Sequence, residues 1–412
     1  MLSGRMSARR TFARWKPERV LLPGMWRRQS WIRVALAVFL GALAMPLAAA
    51  GPAAAASGRF AYVANTFSNT VSVIDATNTV ITNIPVGTIP IGVAVSPDNT
   101  RVYVTNASTR TVSVIDTFTN TVTATIPVGI SPFGVGVSPD GTRVYVANAA
   151  SNNVSVIDTS TNTVTATITV GSDPQLLAVS PDGTHVYVAN AASNNVSVID
   201  TSTNTVTATV TVGPGPTGVA VTPDGSRVYV TNGGSNNVSV IDTSTNTVTA
   251  TVTVGSNPFA VAASPDNTRV YVTNDTPGTV SVIDTSTNTV TATITVGPNP
   301  DGVAVSPGGT RVYVTSNSAG TTSVIDASTN TVTATVTVGS GPIGVATARV
   351  PVVATATCPG GSVITGGGYQ QSGGAVPPTE VTSRPVGNTW QVLADNQTTN
   401  YTTVTPYAVC AS

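Results

Sequence analysis

The chain has 412 residues, of which 18 are basic, 18 are acidic, one is histidine and two are cysteine. Hydrophobic residues make up 41% and charged residues 9%, so the chain can bury a large core and is not disordered throughout. The lone histidine, His185, excludes sites that need two or three imidazoles, such as a catalytic zinc centre, and argues against a histidine-dependent hydrolase. No metal site is predicted.

The zero net charge conceals two oppositely charged parts. Residues 1–56 contain nine Arg or Lys and one Glu, for a net charge of +8, whereas residues 57–412 have a net charge of −8. An acidic body without a basic cluster has nothing to neutralise phosphates. Nucleic acids are therefore excluded as partners.

The basic N-terminal part is predicted to be a secretory signal peptide, residues 1–56. Basic residues spread over 5–33 are followed by an apolar run at 34–47, and Ala54-Ala55-Ala56 gives a small-x-small cleavage pattern before Ser57. The alternative is an uncleaved anchor helix at 34–56, which two prolines and two glycines disfavour. We expect an exported protein at the cell surface or in the medium, with no membrane contact after cleavage; the export route is left open.

A repeat of about 42 residues fills most of the remaining chain. The sequence Tyr-Val-(Ala/Thr)-Asn, or Tyr-Val-Thr-Ser in the last copy, begins at Tyr62, Tyr103, Tyr145, Tyr187, Tyr229, Tyr271 and Tyr313. A period of this length, made of short strand-forming segments, is typical of a β-propeller with four strands in each blade.

Each repeat is predicted to contain four strands, a to d. In one unit these are Gly134–Val137, Arg143–Asn148, Val154–Asp158 and Val164–Val170, rich in Val, Ile, Thr and Tyr. Ser138-Pro139-Asp140-Gly141 forms the tight turn between the first two strands, because Pro fixes φ and Gly accepts a positive φ.

The ends of the repeat region predict how the ring closes. The first unit begins at strand b (Phe60–Asn65), and the last strand d (Val332–Val338) is followed by a seventh strand a (Gly344–Thr347). Pairing of these two terminal strands would give a mixed blade and remove the open sheet edges. We predict an all-β fold, a seven-bladed propeller over residues 57–349.

These residues resemble the YVTN family of β-propeller repeat proteins, whose tetrapeptide stands here at Tyr103 and Tyr229. The resemblance covers roughly 290 residues, since the Ser-Pro-Asp-Gly turn and the Val-Ile-Asp strand recur with it. It implies an extracellular or cell-surface seven-bladed propeller. Structural relatives of that family include quinoprotein dehydrogenases and the propeller domain of nitrous oxide reductase, but their cofactor ligands do not map onto this sequence, and no cofactor is predicted.

Residues 350–412 are predicted to form a small β module with one disulfide. They contain the chain's only cysteines, Cys358 and Cys410, which in an exported protein are expected to pair. The bond would close a loop of about 50 residues, worth on the order of 4 kcal/mol. The pattern resembles a module found at the ends of secreted bacterial proteins, with no activity implied.

Two polar features are interpreted as structural. Asp158, Ser160 and Asn162 are spaced as at the start of a calcium loop, but the central Gly and distal Glu are missing, so we expect Asp to bind turn amides. Equivalent aspartates in every repeat favour this architectural role: Asp75, Asp116, Asp158, Asp200, Asp242, Asp284 and Asp326. His185 occupies a position held by arginine in five other repeats and is interpreted as a surface substitution.

Comparison of the repeats predicts a binding face. The a–b and c–d turns are nearly constant, whereas the b–c loops and d–a connections vary. The residue before strand a varies most, and these seven should surround one mouth of the central channel: Ile91, Phe133, Gln175, Thr217, Phe259, Asp301 and Ile343. Such divergence indicates either a site on a rigid scaffold or drift in exposed loops.

The function predicted from these features is that of a non-catalytic binding or scaffold propeller. It would bind a surface protein or a glycan as a monomer. The alternative is a propeller enzyme, either a lactonase- or lyase-like hydrolase or a quinoprotein-type oxidoreductase. Candidate acids and bases for that alternative are few.

Overall fold

The computed structural model describes residues 59–349 and five further strands between residues 352 and 411. Most of these residues lie in strands. The predicted signal peptide lies outside the described residues. Among the described residues, no helix is both long and apolar enough to cross a membrane. Two single-turn 3₁₀ helices, Ala149–Ser151 and Asn317–Ala319, occur in b–c loops.

The first fifteen strands are β1 (Arg59–Asn65), β2 (Thr70–Ile74), β3 (Val80–Pro85), β4 (Pro90–Val95), β5 (Arg101–Asn106), β6 (Thr111–Asp116), β7 (Thr121–Pro127), β8 (Pro132–Val137), β9 (Arg143–Asn148), β10 (Asn153–Asp158), β11 (Thr163–Thr169), β12 (Pro174–Val179), β13 (His185–Asn190), β14 (Asn195–Asp200) and β15 (Thr205–Thr211). The remaining strands of the repeat region are β16 (Pro216–Val221), β17 (Arg227–Asn232), β18 (Asn237–Asp242), β19 (Thr247–Thr253), β20 (Ser256–Ala263), β21 (Arg269–Thr276), β22 (Thr279–Asp284), β23 (Thr289–Thr295), β24 (Pro300–Val305), β25 (Arg311–Ser316), β26 (Thr321–Asp326), β27 (Thr331–Thr337) and β28 (Pro342–Arg349).

These strands form seven antiparallel four-stranded blades, as the repeat predicts. Blades 2 to 7 are β4–β7, β8–β11, β12–β15, β16–β19, β20–β23 and β24–β27, each in the order a-b-c-d. Blade 1 has the order β28-β1-β2-β3. Its strand β28 pairs with β1 from Arg59↔Arg349 to Asn65↔Pro342, so the predicted closure is confirmed.

The core lies between neighbouring blades. One apolar cluster joins Tyr62 and Val73 of blade 1 to Val102 and Ile115 of blade 2, and similar clusters join the other blades. Strands b and c are almost fully buried, whereas the outer strand d alternates between exposed and buried residues, as in the pattern of β7. Valine and isoleucine therefore fill both faces of the inner strands, while threonine covers the outer face of strand d.

The asparagine of the repeat tetrapeptide is buried and holds strands b and c together. Asn148 Nδ2 donates to Asn153 Oδ1 (2.8 Å) and Ser155 Oγ (2.9 Å). Gly129, in the d–a connection, packs on this amide, because a Cβ there would lie 2.5 Å from Asn148 Cγ. The invariant Val-Gly after strand d is thus needed for close approach to the asparagine.

The C-terminal strands form two small sheets. They are β29 (Val352–Thr357), β30 (Val363–Ser372), β31 (Glu380–Val386), β32 (Thr389–Asp395) and β33 (Thr403–Ala411), with a three-stranded sheet β29-β32-β31 and a two-stranded sheet β30-β33. Cys358 lies outside the described residues, and for Cys410 only the strand position is described. The disulfide and a separate C-terminal domain stay predictions.

Candidate binding rim

The loops lie on two opposite rims of the propeller. On one rim, Thr117 N donates to Thr100 O (3.0 Å), which joins a c–d turn to an a–b turn. On the other, Ala107 N donates to Ile89 O (2.9 Å), which joins a b–c loop to a d–a connection. We call these the constant rim and the variable rim. The grouping of the loops agrees with the prediction.

On the constant rim, the aspartates of the turns bind the turns themselves. Asp140 accepts hydrogen bonds from Ser138 Oγ (2.5 Å) and Thr142 N (3.0 Å), and these bonds lower the pKa of the carboxyl. In the c–d turn, Asp158 Oδ1 accepts from Ser160 N and Thr161 N at 2.8 and 3.0 Å. Oδ1 of this carboxylate is thus engaged by backbone amides of its own turn, which supports the architectural interpretation.

Arginines of the constant rim link consecutive blades. Arg101 Nη1 of blade 2 donates to Thr159 O of blade 3 (2.6 Å), and Arg311 Nη1 of blade 7 donates to Ala76 O of blade 1 (2.9 Å). The same link is made by Arg143 to Thr201, Arg227 to Thr285 and Arg269 to Ala327. At the equivalent position of blade 4, His185 Nδ1 lies 2.7 Å from Thr184 Oγ1 of its own turn.

The seven predicted ring residues lie inside strand a rather than before it, which corrects the predicted boundary. Each strand a includes the preceding proline, so the ring residue is second in six of these strands and fourth in β20. Proline fits the first residue of a strand, since its missing N–H is not needed there. In β4 the register shifts between Pro90 and Val93, and Ile91 lies at this irregularity.

Two of the ring residues meet across the channel. Phe133 belongs to blade 3 and Phe259 to blade 6, and their ring centroids are 6.3 Å apart with an interplanar angle of 57°, a favourable tilted arrangement. A cavity of about 180 Å³ in the channel is lined by Phe259, Ile91 and Ile343 together with strand a valines. The structure therefore brings four of the seven residues to one apolar mouth.

Asp301 is the acid of the ring. The pKa of its carboxyl is raised to about 7, mainly by burial; a hydrogen bond from Asn317 opposes this shift and the nearby Asp275 carboxylate adds to it. Asp275 in turn accepts hydrogen bonds from Asn257 Nδ2 (2.9 Å) and from Asn299 Nδ2. The carboxyl is thus held in a polar cluster drawn from blades 6 and 7.

Gln175 belongs to a second polar pair on this rim. Its Nε2 donates to Asp173 Oδ1 (2.7 Å), and burial raises the pKa of Asp173 although this hydrogen bond opposes the shift. Thr217 is half-buried and its hydroxyl faces Gly215 O of its own connection (3.4 Å).

The ring prediction missed neighbouring residues that complete the rim. Asp173, Asn257 and Asn299 stand two residues before ring positions, and Asp275 lies near the end of strand β21. At these positions the residue differs among the repeats as much as it does at the ring positions. A comparison of that second position among the blades could have found three of them.

Comparison with known proteins places the chain in a family. A family model described as YNCE-like beta-propeller matches residues 27–351. The chain belongs to this family. Together with the seven blades, the match confirms the repeat-propeller prediction.

Solved structures share the fold. The structure of hydrazine synthase from Kuenenia stuttgartiensis is 25% identical with a TM-score of 0.59, and the match covers 64% of this chain and 96% of that chain. A functionally unknown protein from Desulfotomaculum acetoxidans DSM 771 is 20% identical with a TM-score of 0.63, over 70% of this chain and 99% of that chain. No curated protein matches the sequence.

Proposed function

We propose that the protein is an exported, non-catalytic binding propeller that captures a surface protein or a glycan through its variable rim. The observation that supports this most is the contrast between the rims. The polar groups of the constant-rim turns bind one another, whereas the variable rim brings Phe133 and Phe259 into contact at the channel and holds Asp301 beside Asn317 and Asp275. Sequence divergence at half-buried aromatic and acidic side chains on a rigid frame is typical of a binding site.

The second candidate function is a propeller enzyme, favoured by one observation. A carboxyl whose pKa is raised to about 7 is suited to general acid or base catalysis near neutral pH. Asp301 would then be the catalytic group of a hydrolase or lyase. A lactone and ester substrate panel tests this: turnover that is lost in Asp301→Asn would favour the enzyme over the binding propeller.

The binding function is tested with the purified protein on glycan and protein-ligand arrays. Ligands found there are titrated against Phe133→Ala and Asp301→Ala, which we expect to weaken binding about tenfold or more. Asp140→Ala on the constant rim is the control. It removes hydrogen bonds of an a–b turn, so it should lower the melting temperature and leave affinity unchanged.

Two results would contradict the proposal. One is a loss of binding in Asp140→Ala protein that remains folded, while Phe133→Ala and Asp301→Ala bind normally. The site would then lie on the opposite rim. The other is the absence of any ligand on both arrays. Melting curves of every variant separate loss of a contact from loss of the fold.

A further inference from the structure

Three large apolar side chains are exposed on the variable rim, all in the first part of the ring. The exposed fractions are 71% for Phe67, 41% for Ile89 and 44% for Ile130. Phe67 lies in the b–c loop of blade 1, and the two isoleucines lie in the d–a connections that enter blades 2 and 3. All three therefore lie in one sector of this rim, within consecutive blades, and are not scattered over the surface.

The other repeats hold small or polar residues at the same positions. Phe67 corresponds to Ser108, Ala150, Ala192, Gly234, Thr276 and Ser318. Ile89 corresponds to Ser131, Asp173, Gly215, Asn257, Asn299 and Gly341, and Ile130 to Thr88, Ser172, Pro214, Ser256, Pro298 and Ser340. The fold therefore accepts small or polar side chains at all three positions, and the apolar ones are not needed for packing.

Ile89 also has a strained backbone. Its φ is 57°, in the left-handed region, where a β-branched residue is a conformational outlier. Glycine or asparagine would satisfy this conformation with less strain, and four of the other six connections use one of them. An exposed isoleucine that destabilises its own turn indicates a requirement other than folding.

These side chains adjoin the channel mouth. Ile89 N donates to Asn69 Oδ1 of the Phe67 loop (3.0 Å), and the Phe67 ring covers Gly341, where a Cβ would lie 2.5 Å from its Cδ2. Gly341 stands two residues before Ile343. The ring positions of blades 1 to 3 are likewise apolar. We call Phe67, Ile89, Ile130, Ile343, Ile91 and Phe133 the apolar arc.

The rest of the variable rim is acidic. Blades 4 to 7 contribute Asp173, Asp275 and Asp301, together with the amides of Gln175, Asn257, Asn299 and Asn317. We call the three aspartates the acidic sector. The loops and strand starts of this rim contain one basic residue, Arg110, on blade 2. A ligand that covers both parts is therefore expected to combine apolar groups with positive charge, because a cation facing these carboxyls favours their ionised form.

We infer that the apolar arc and the acidic sector together form a docking surface for a protein segment with an aliphatic or aromatic side chain beside a lysine or arginine. This inference rests on the proposed binding function and names its partner. The exposed isoleucines favour a protein over a glycan. Sugar hydroxyls that pack on them would lose hydrogen bonds to water and gain none, which costs binding free energy. The channel cavity of about 180 Å³ is large enough for a single apolar side chain.

The test uses a random-peptide phage library panned on the purified protein, with a glycan array in parallel. Enriched peptides are synthesised and titrated against three variants, each of which carries the residue that another blade has at the same position: Phe67→Ser, Ile89→Asn and Ile130→Ser. The matched control is Phe118→Ser. Phe118 is a 39% exposed phenylalanine on the constant rim, at a position held by serine in five other blades.

We expect peptides that contain an apolar residue beside Lys or Arg, with affinity reduced about tenfold or more by each arc variant and unchanged by Phe118→Ser. Ile89→Asn should at the same time raise the melting temperature by about 2–4 °C, since it relieves the left-handed strain. A purely structural role for Ile89 would not combine higher stability with weaker binding.

Other outcomes overturn the inference. One such outcome is peptides whose binding is lost in Phe133→Ala and Asp301→Ala but is normal in Phe67→Ser, Ile89→Asn and Ile130→Ser. The proposed function would then stand, but the three outer residues would not belong to the docking surface. Ligands found on the glycan array alone would do the same. Failure of both the library and the array would count against the docking surface and the proposed function together.

Discussion

At the scale of single residues, Asp301 and the turn aspartates respond to pH with opposite signs. Hydrogen bonds from Ser202 and from the backbone of Thr203 lower the pKa of Asp200 to about 2, so its contribution to stability is present above its ordinary pKa and is lost as the pH falls towards 2. Asp301, with its pKa raised to about 7 by burial, binds its proton more tightly in the folded chain than in the unfolded chain. Its contribution therefore declines as the pH rises from about 4 to 7.

Asp301→Asn should remove that decline. An amide cannot ionise, so the variant should be more stable than the wild type at about pH 8 and nearly equal to it at about pH 4. The gain in unfolding free energy at about pH 8 should reach up to about 4 kcal/mol, on the basis of about 1.4 kcal/mol per pH unit. Denaturant unfolding at both pH values measures the difference. Asp200→Asn is the control and should lose stability at about pH 8. An unchanged pH profile in Asp301→Asn would show that this carboxyl is already ionised in the folded protein.

At the scale of strands and turns, the junction between blades 4 and 5 lacks the arginine link that five other junctions have. Arginines at the start of strand b bind a carbonyl of the next blade, but blade 4 has His185, whose ring nitrogen is 2.7 Å from the hydroxyl of Thr184. The carbonyl at the equivalent place in blade 5 belongs to Thr243, 58 residues further on, the same separation as from Arg143 to Thr201.

His185→Arg should supply the missing link. A charged hydrogen bond at a partly exposed site is worth about 1 kcal/mol, which corresponds to about 2 °C in melting temperature. The reverse change, Arg143→His, should lower the melting temperature by a similar amount. Calorimetry of both variants provides the check, and a destabilising His185→Arg would mean that the histidine has a role of its own in this turn.

Much of this architecture could be predicted from the sequence, because each strand type repeats with its own buried pattern. The valines on either side of Tyr145 predicted strand b, and the strands at the two ends of the repeat region predicted how the ring closes. The start of strand a was placed two residues late, since Pro132 marks a turn as readily as a strand edge. The contact between Phe133 and Phe259 and the cluster of Asp275 with Asn257 could not be predicted, because such contacts depend on the curvature of the ring and on side-chain direction.

At the scale of the whole molecule, stability depends on the pairing of β1 with β28. All seven blades have four strands only because β28 returns to blade 1, where Tyr62 pairs with Ala346 and Val63 with Val345. Without β28, an edge of blade 1 would open, and Val345 would be lost from the cluster that joins blades 7 and 1.

Two truncations test the closure. Removal of residues 341–412 should lower the melting temperature sharply and promote aggregation, because it deletes β28. Removal of residues 351–412 should leave the propeller nearly as stable as the full chain, since the seven blades remain intact. Thermal melts and size-exclusion profiles compare the two proteins, and equal stability would refute the role of β28.

Closure at this pair also determines how the propeller responds to mechanical load. Arg59, where the described propeller begins, is paired with Arg349, where it ends, on adjacent antiparallel strands. Tension applied at these two ends acts first on that single pair, then on Phe60 with Ala348, and so on along the strand, one pair at a time. The backbone bonds are thus unzipped in sequence rather than sheared together. The ring should therefore open under a small pulling force whenever both of its ends are tethered apart.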